Sequence, residues 1–571
     1  MQSDSSEIPG LSQLRHDELL NSNEAPEDNE SSSIRSAFLK TTAALSSLND
    51  EISRLRERLE QLEVEYRSLS DEQAQNRNFQ PRSPPDFKSG PSLSDSHDSP
   101  ILREKLRELE TDYRTLSQHQ EQNLTLLSPL RRLPPEILAE IFYWTLPSAR
   151  TSSLRRGFSA RESPWLLTHV SSHWRAVAIS TPPLWSLITI FFYSSKLRLN
   201  SLYPNPMIEA QVARAQRLNI HFFGADECPA APQLELFQLL AKHSSLWEEV
   251  SLQLTPALFP LLDDLKGRLP LLRKVFIQWD RGGHGQNTAP SIDFLESAPS
   301  LVDVGIYNEY GSIAVALPAY QLTRYQLDAP WKTHRGILAL APNVSEARIS
   351  VQYETDGWTS SSDDIIELPA LVHLYVTTPR VCDYIRAPAL YDLVLSFKDG
   401  DETSVVTTLQ SLTARSSCAI KYLGFSSFVA ARAVAILHTF PSIIELRLVV
   451  AGYNYLQVRT LLENLTVSDT EGGGSDVVAP QLRDISLGSP MRLASTSYLD
   501  YDLFLKMVRS RRNSEDCALA TSAVILHSGS GPDVKALSEI EALRREGMDF
   551  PVMIGEEALD ILDYWLCHSR Y

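Results

Sequence analysis

The thirteen histidines and five cysteines are the side chains of this sequence best suited to metal ligation, nucleophilic attack or proton transfer near neutral pH. Cys228, Cys382, Cys418, Cys517 and Cys567 lie far apart with no C-x-x-C. Neither a disulfide framework nor a zinc site is therefore expected, only reduced and mostly buried thiols. His221, His243 and His373 have no acid or nucleophile at a fixed spacing, so they read as structural or surface residues. The clusters Gly282-Gly283-His284-Gly285 and Gly472-Gly473-Gly474 sit among polar residues and read as loops. The patterns G-x-x-x-x-G-K-[ST], H-E-x-x-H and G-x-S-x-G are absent, which leaves phosphate-loop, zinc-protease and hydrolase chemistry without support. The chain is expected to be no enzyme and to need no cofactor or metal. What remains is recognition.

A chain of 571 residues is too long for one core, and its 43% hydrophobic and 22% charged residues are ordinary for globular units. A net charge of −18 argues against nucleic-acid binding, which needs clustered Lys and Arg. Residues 1–10 lack an apolar signal core, and no run approaches the ~18 apolar residues of a membrane span. No membrane partner is expected, and the reading is a cytoplasmic and/or nuclear protein.

Residues 1–36 are polar and read as a disordered tail. Over 37–76, Leu45, Leu48, Ile52, Leu55, Leu59, Leu62, Tyr66 and Leu69 recur at alternating three- and four-residue steps, the seam of a coiled coil. A Pro/Ser-rich linker over 77–100 precedes a second heptad helix over 101–128, through Leu102, Leu106, Leu109, Tyr113 and Leu116. The segments starting at Leu55 and Leu102 are identical at 13 of 22 positions, which points to internal duplication. The two blocks either pair within one chain across the linker, the arrangement we favour, or self-associate.

From 129 to 190 short apolar helices are punctuated by proline. Pro134 and Pro135 suit a helix start, and Ile137, Leu138, Ile141 and Phe142 fall on one face. A second helix places Leu166, Val170, Trp174 and Val177 on one stripe, and Thr181–Trp185 closes the unit. The ordered pattern Leu133-Pro134-Pro135-Glu136, Val170-Ser171-Ser172-His173-Trp174-Arg175, Pro182-Pro183-Leu184-Trp185 resembles an F-box, in the variant common among fungal F-box-like proteins. The match covers about a tenth of the chain, and residues 148–163 form a longer polar insertion than that pattern usually has. The resemblance implies docking to the Skp-type adaptor that bridges F-box proteins to the cullin scaffold of an SCF complex. Leu133, Pro134, Ile137, Leu138, Ile141, Val170 and Trp174 would be the adaptor-binding residues.

Behind it, an apolar-x-x-apolar-x-apolar pattern recurs about eleven times between Ala215 and Leu487, many copies preceded by a proline turn such as Ala298-Pro299-Ser300. Each copy is a short strand with alternate residues buried, and stacking neighbours would build one core. Residues 191–571 thus resemble a degenerate leucine-rich-repeat-like solenoid, most copies of which lack the usual asparagine. An ordinary α/β sheet is the rival. The expected fold class is a multidomain α+β chain: N-terminal coiled-coil helices, a small all-α F-box and a C-terminal α/β solenoid. By strand alternation, Phe276, Tyr307, Arg324, Arg348, Tyr375 and Arg447 should line an exposed row that binds an unknown protein target. The expected function is a substrate-recruiting adaptor subunit of a ubiquitin ligase; the alternative is a coiled-coil scaffold with no ubiquitin role.

Overall fold

The computed structural model describes residues 12–22, 24–77, 98–147, 159–192, 204–279, 291–307, 313–352, 365–396, 404–450, 454–467, 477–492, 499–528 and 531–566. Two compact units partition the chain: residues 1–146 with 160–181, and residues 147–159 with 182–571.

In the first unit, helices α1 (Gln13–Ser22), α2 (Asp28–Arg77) and α3 (Asp98–Leu126) form the front end. Pairs across α2 and α3 run in opposite senses: Thr42 with Gln120 at 2.8 Å, Arg56 with Glu110 at 2.6 Å, Glu63 with Arg103 at 2.8 Å. The two heptad blocks therefore pack as an antiparallel hairpin. Leu45, Ile52 and Leu59, seven residues apart, are buried, while Leu48, Leu55 and Leu62 are half-buried, as in any seam that only two helices share. The side chains of Tyr66 and Leu69 lie outside the described residues.

The stretch expected to be a disordered tail is helical over most of its described length, including 28–36 at the start of α2. Two apolar anchors explain it. Leu19 and Ile34 meet Leu126 in a small buried cluster. Arg131 donates to the carbonyls of Leu19 and Glu24 at 2.6 and 3.1 Å, supplying donors where α1 ends. Burial of Arg131 lowers the pKa of its guanidinium. His16 hydrogen-bonds Asn123 at 3.2 Å, and Arg15 pairs with Glu24 and Glu30.

Helix α4 (Pro135–Trp144) and helix α5 (Ser172–Ile179) complete this unit. Pro135 sits at the first helical position, where its missing N–H costs nothing. The Ser171 hydroxyl caps α5 by accepting from the Trp174 amide at 3.1 Å. Phe142 packs on Trp174 with ring centroids 4.8 Å apart, beside buried Leu138, Leu167, Val177 and Ala178. The compact unit runs to Thr181. Leu184 and Trp185 belong to the second unit: the Gln211 amide donates to the Trp185 carbonyl at 3.1 Å and Arg214 lies 4.3 Å over the Trp185 ring. Of the insertion over 148–163, residues 148–158 lie outside the described residues.

The second unit is built on strands β1 (Leu187–Phe191), β2 (Leu218–Phe223), β3 (Trp247–Leu254), β4 (Lys274–Trp279), β5 (Asp303–Tyr307), β6 (Arg324–Ala329) and β7 (Glu346–Val351). It continues through β8 (Ile366–Glu367), β9 (His373–Val376), β10 (Ile385–Arg386), β11 (Asp392–Ser396), β12 (Tyr422–Ser427) and β13 (Glu445–Val449). The last are β14 (Asp484–Arg492), β15 (Thr521–Ser528) and β16 (Val552–Ile554). Strands β8 and β10 pair with each other; the other fourteen form one open, parallel sheet in unbroken chain order. All eleven sequence copies fall on its strands, from β2 to β14.

The proline punctuation has a common geometry. The carbonyl before the proline accepts from the amide three residues on, in Ala298–Leu301, Ala341–Val344, Leu368–Leu371, Ala387–Leu390, Phe440–Ile443 and Ala479–Leu482, at 3.1–3.3 Å. Proline at the second position of a β-turn pre-sets the required φ, so each turn delivers its first aliphatic residue inward. One face of the sheet carries the main core. Ile188, Ile220, Leu252, Ile277, Ile306, Leu327 and Ile349 share one continuous core with Phe237, Leu409, Leu437 and Leu461 from the connecting helices.

Candidate interaction surfaces

The first unit carries an apolar stripe left over from its own packing. Helix α4 was read as having a single apolar face, but the structure splits it. Leu138 and Phe142 are fully buried, whereas Ile137 and Ile141 are 51% and 42% exposed. With Trp144, 78% exposed, they fall at i, i+4 and i+7 and so share one side of the helix. The Trp144 indole donates to Glu140 at 3.0 Å. Of the other expected adaptor-binding residues, Pro134 and Val170 are exposed and Leu133 and Trp174 are half-buried. Leu138 is the correction: a side chain with no exposed surface holds the unit together and has nothing left to offer a partner. The reading from sequence missed Trp144 and the exposed Leu130, Tyr143 and Ile179, and it named Leu166, also exposed, only as part of the second stripe. For Trp144 the i+7 step from Ile137 was the available signal.

In the second unit, the face opposite the main core carries the expected target-binding row. In register from β4 onward stand Phe276, Gly305, Gln326, Arg348, Tyr375, Val394, Gly424, Arg447, Ser486 and Ala523. The exposure expected of that row is not found. Phe276, Arg348, Tyr375 and Arg447 are buried, and Tyr307 and Arg324 are half-buried. Phe276 lies over Gly305, where a Cβ would stand 2.8 Å from its ring. Arg324 is held by Asp303 at 3.3 Å and by Glu346 at 2.8 Å, next to the Lys274–Glu249 pair. Those five strand ends form a ladder of alternating charge.

From β7 onward the cover is the C-terminal helix, Glu556–Trp565. Its Ala558, Leu562 and Trp565, with Leu566, form a second cluster with Tyr375, Val394, Val449, Ala523 and Ile525, separate from the main core. Gly488 on β14 makes room for it: a Cβ there would stand 2.4 Å from Leu562 and 2.6 Å from Trp565. Arg348 donates to the Leu566 carbonyl at 2.9 Å and lies 4.1 Å over the Tyr375 ring, while the Tyr375 hydroxyl bonds Ser426 at 3.1 Å.

The face is also a buried charge cluster. Arg447 pairs with Asp392 at 2.9 Å and Glu445 at 2.5 Å, and lies within 6 Å of the Tyr564 and Trp565 rings. Burial works against the Arg447 charge, yet the two carboxylates hold its pKa above the ordinary value. Burial raises the Asp392 carboxyl, and Arg447 opposes that rise. His373, 3.8 Å from Asp392, is pushed down to about 4 by burial and then by Arg447. A histidine so held is neutral at pH 7 and is a structural part of the cluster.

Among the described residues no group of histidine, cysteine and carboxylate side chains is arranged to hold a metal, and no helix is long and apolar enough to cross a membrane. Burial pushes the Cys382 thiol up to about 12 and raises Cys418 as well, so neither is primed as a nucleophile. His221 is likewise held at about 4 by burial. Cys567 and both glycine clusters lie outside the described residues. No family model matches the chain, and no curated protein is detectably similar to it.

Proposed function

We propose that this chain is an adaptor subunit that docks a Skp-type protein through its short helical unit and carries a recruited protein on its second unit. The observation that bears this reading is the α4 stripe of Ile137, Ile141 and Trp144, left exposed although Leu138 and Phe142 already fill the core beneath it. Three apolar side chains on one side of one helix fit a helix-in-groove contact, the kind a Skp-type adaptor implies. The ordered F-box-like motif at Leu133–Glu136 and Val170–Arg175 supports the same partner, and through it the cullin scaffold. The parallel strands in chain order, six of them entered through the same proline turn, support a leucine-rich-repeat-like solenoid as the target-binding half. In this reading the chain contributes binding, not bond-making. It raises the local concentration of the target's lysines at a separate ubiquitin-transfer enzyme.

The scaffold alternative needs a coiled-coil seam free to join another chain. Leu45, Ile52 and Leu59 are already buried, and α2 pairs with α3 from Thr42 to Glu63. Co-purification decides the proposal: full-length protein should capture a Skp-type adaptor, and I137D/I141D should abolish capture without lowering the melting temperature. Capture unaffected by that pair of charges refutes the docking surface.

A further inference from the structure

The helix seated on the outer face of β7–β15 has the marks of a bound ligand. Its apolar side chains form a cluster of their own with the sheet, and the main core on the opposite face closes without them. It is tethered through Gly555, whose φ of +103° favours glycine and lets the chain leave β16 and turn back over the sheet in one step. Its Glu556, Glu557 and Asp560 face solvent, so the helix is amphipathic, and only Asp563 among its acids is buried, over a face that holds Arg348 and Arg447. Its last turn is read through the backbone, by Arg348 on the Leu566 carbonyl, where the helix dipole is negative.

The seat is shaped for it. Trp565 lies over Gly488 on β14 while the neighbouring Leu566 carbonyl reaches Arg348 on β7. Those strands are five positions apart in the sheet, about 24 Å if it were flat. Both strands close on the last turn of the helix, and Tyr375, Val394 and Val449 between them line the groove beneath it.

We propose that this groove is a receptor for an amphipathic helix of the recruited protein, and that Glu556–Leu566 occupies it in cis until displaced. The partner helix presents a small residue, a leucine and an aromatic residue at i, i+4 and i+7, as Ala558, Leu562 and Trp565 do, and ends over Arg348. The proposal rests on reading the second unit as the target-binding half and adds what it binds and how it is held shut.

The test uses the full chain and a fluorescein-labelled peptide of residues 556–566. L562D/W565A weakens the cis helix and leaves the groove intact, so it should bind the peptide at least tenfold more tightly than wild type. Adding R348A should weaken that binding at least fivefold, and adding G488V should abolish it. No binding by a folded L562D/W565A whose C-terminal amides exchange freely overturns the proposal. If that variant does not fold, hydrogen exchange in the wild-type chain decides. The 556–566 amides should exchange at least a hundredfold faster than those of β14 and β15, and equal protection makes the helix a fixed part of the fold. Adaptor capture is measured in parallel and should be unchanged in every groove variant, so failure here is distinguishable from loss of docking through Ile137 and Ile141.

Discussion

Two neighbouring residues of one helix, Ile137 and Leu138, should behave oppositely when cut to alanine. Leu138 is completely buried beside Phe142, so L138A removes aliphatic contacts and leaves a cavity that the surroundings refill only in part. That costs about 2–5 kcal/mol of folding stability, a large share of the ~5–15 kcal/mol typical of a domain. Ile137 and Ile141 still show 51% and 42% of their surface. Docking would bury that remainder, worth about 1 kcal/mol for each side chain, half of what full burial of an isoleucine contributes. I137A/I141A should therefore weaken adaptor affinity by about 2 kcal/mol, roughly 30-fold in Kd, with a far smaller drop in stability than L138A causes. Calorimetric titration against purified adaptor and thermal melts of the same samples measure both quantities. The reasoning fails if the double variant binds within fivefold of wild type, or if L138A melts with it.

Arg511 is fully buried and donates to the carbonyls of Leu465, Val478 and Ala479 at 2.6–3.1 Å; R511M should leave them unsatisfied and cost about 3 kcal/mol in urea unfolding. His221, His334 and His373 are each lowered to about 4 from an ordinary 6.5, burial being the first cause. Between those values the unfolded chain binds protons that the folded chain refuses. Stability should be whole above pH 6.5 and fall as pH drops towards 4, by up to about 1.4 kcal/mol per pH unit for each histidine. The buried Asp392 and Asp484 carboxyls, raised by burial, offset part of this loss; equal urea midpoints at pH 7 and pH 5 would contradict it. In the helical hairpin, I52D should lower α-helical circular dichroism and expose the seam, while wild type scatters light as a monomer; a wild-type dimer would show that the seam also serves a second chain.

The repeating part of this fold was legible because its signals are local. An aliphatic residue three positions after the turn carbonyl, then alternation, put Val275, Ile277, Val304 and Ile306 on the buried face. The heptad seam likewise located the hairpin. What alternation does not contain is whether the second face is covered, since that depends on a segment far along the chain. Tyr375 and Arg348 were therefore expected in solvent and stand beneath Leu562–Leu566. The pattern Ala558, Leu562, Trp565 was readable as an amphipathic helix, but its destination was not. Leu138 failed for a related reason: a 3.6-residue period groups it with Ile137, and only the position of Trp174 against Phe142 decides which of the two turns inward. Residues 12–36 were misjudged because two anchors, Leu19 and Ile34, suffice when Leu126 and Arg131 are waiting for them.

A sheet laid down in chain order has a consequence for how it comes apart. Each interior strand touches only its two neighbours, so its links are short in sequence and a defect in one strand need not travel. Unravelling can start at either open edge, β1 or β16, and proceed strand by strand, so stability should be graded along the array. The bond from Arg348 to Leu566 breaks that rule, joining residues 218 positions apart. It works as a clasp: while it holds, the strands from β7 to β16 lie in a closed circuit and have to yield together, and once it opens the distal edge becomes free to fray.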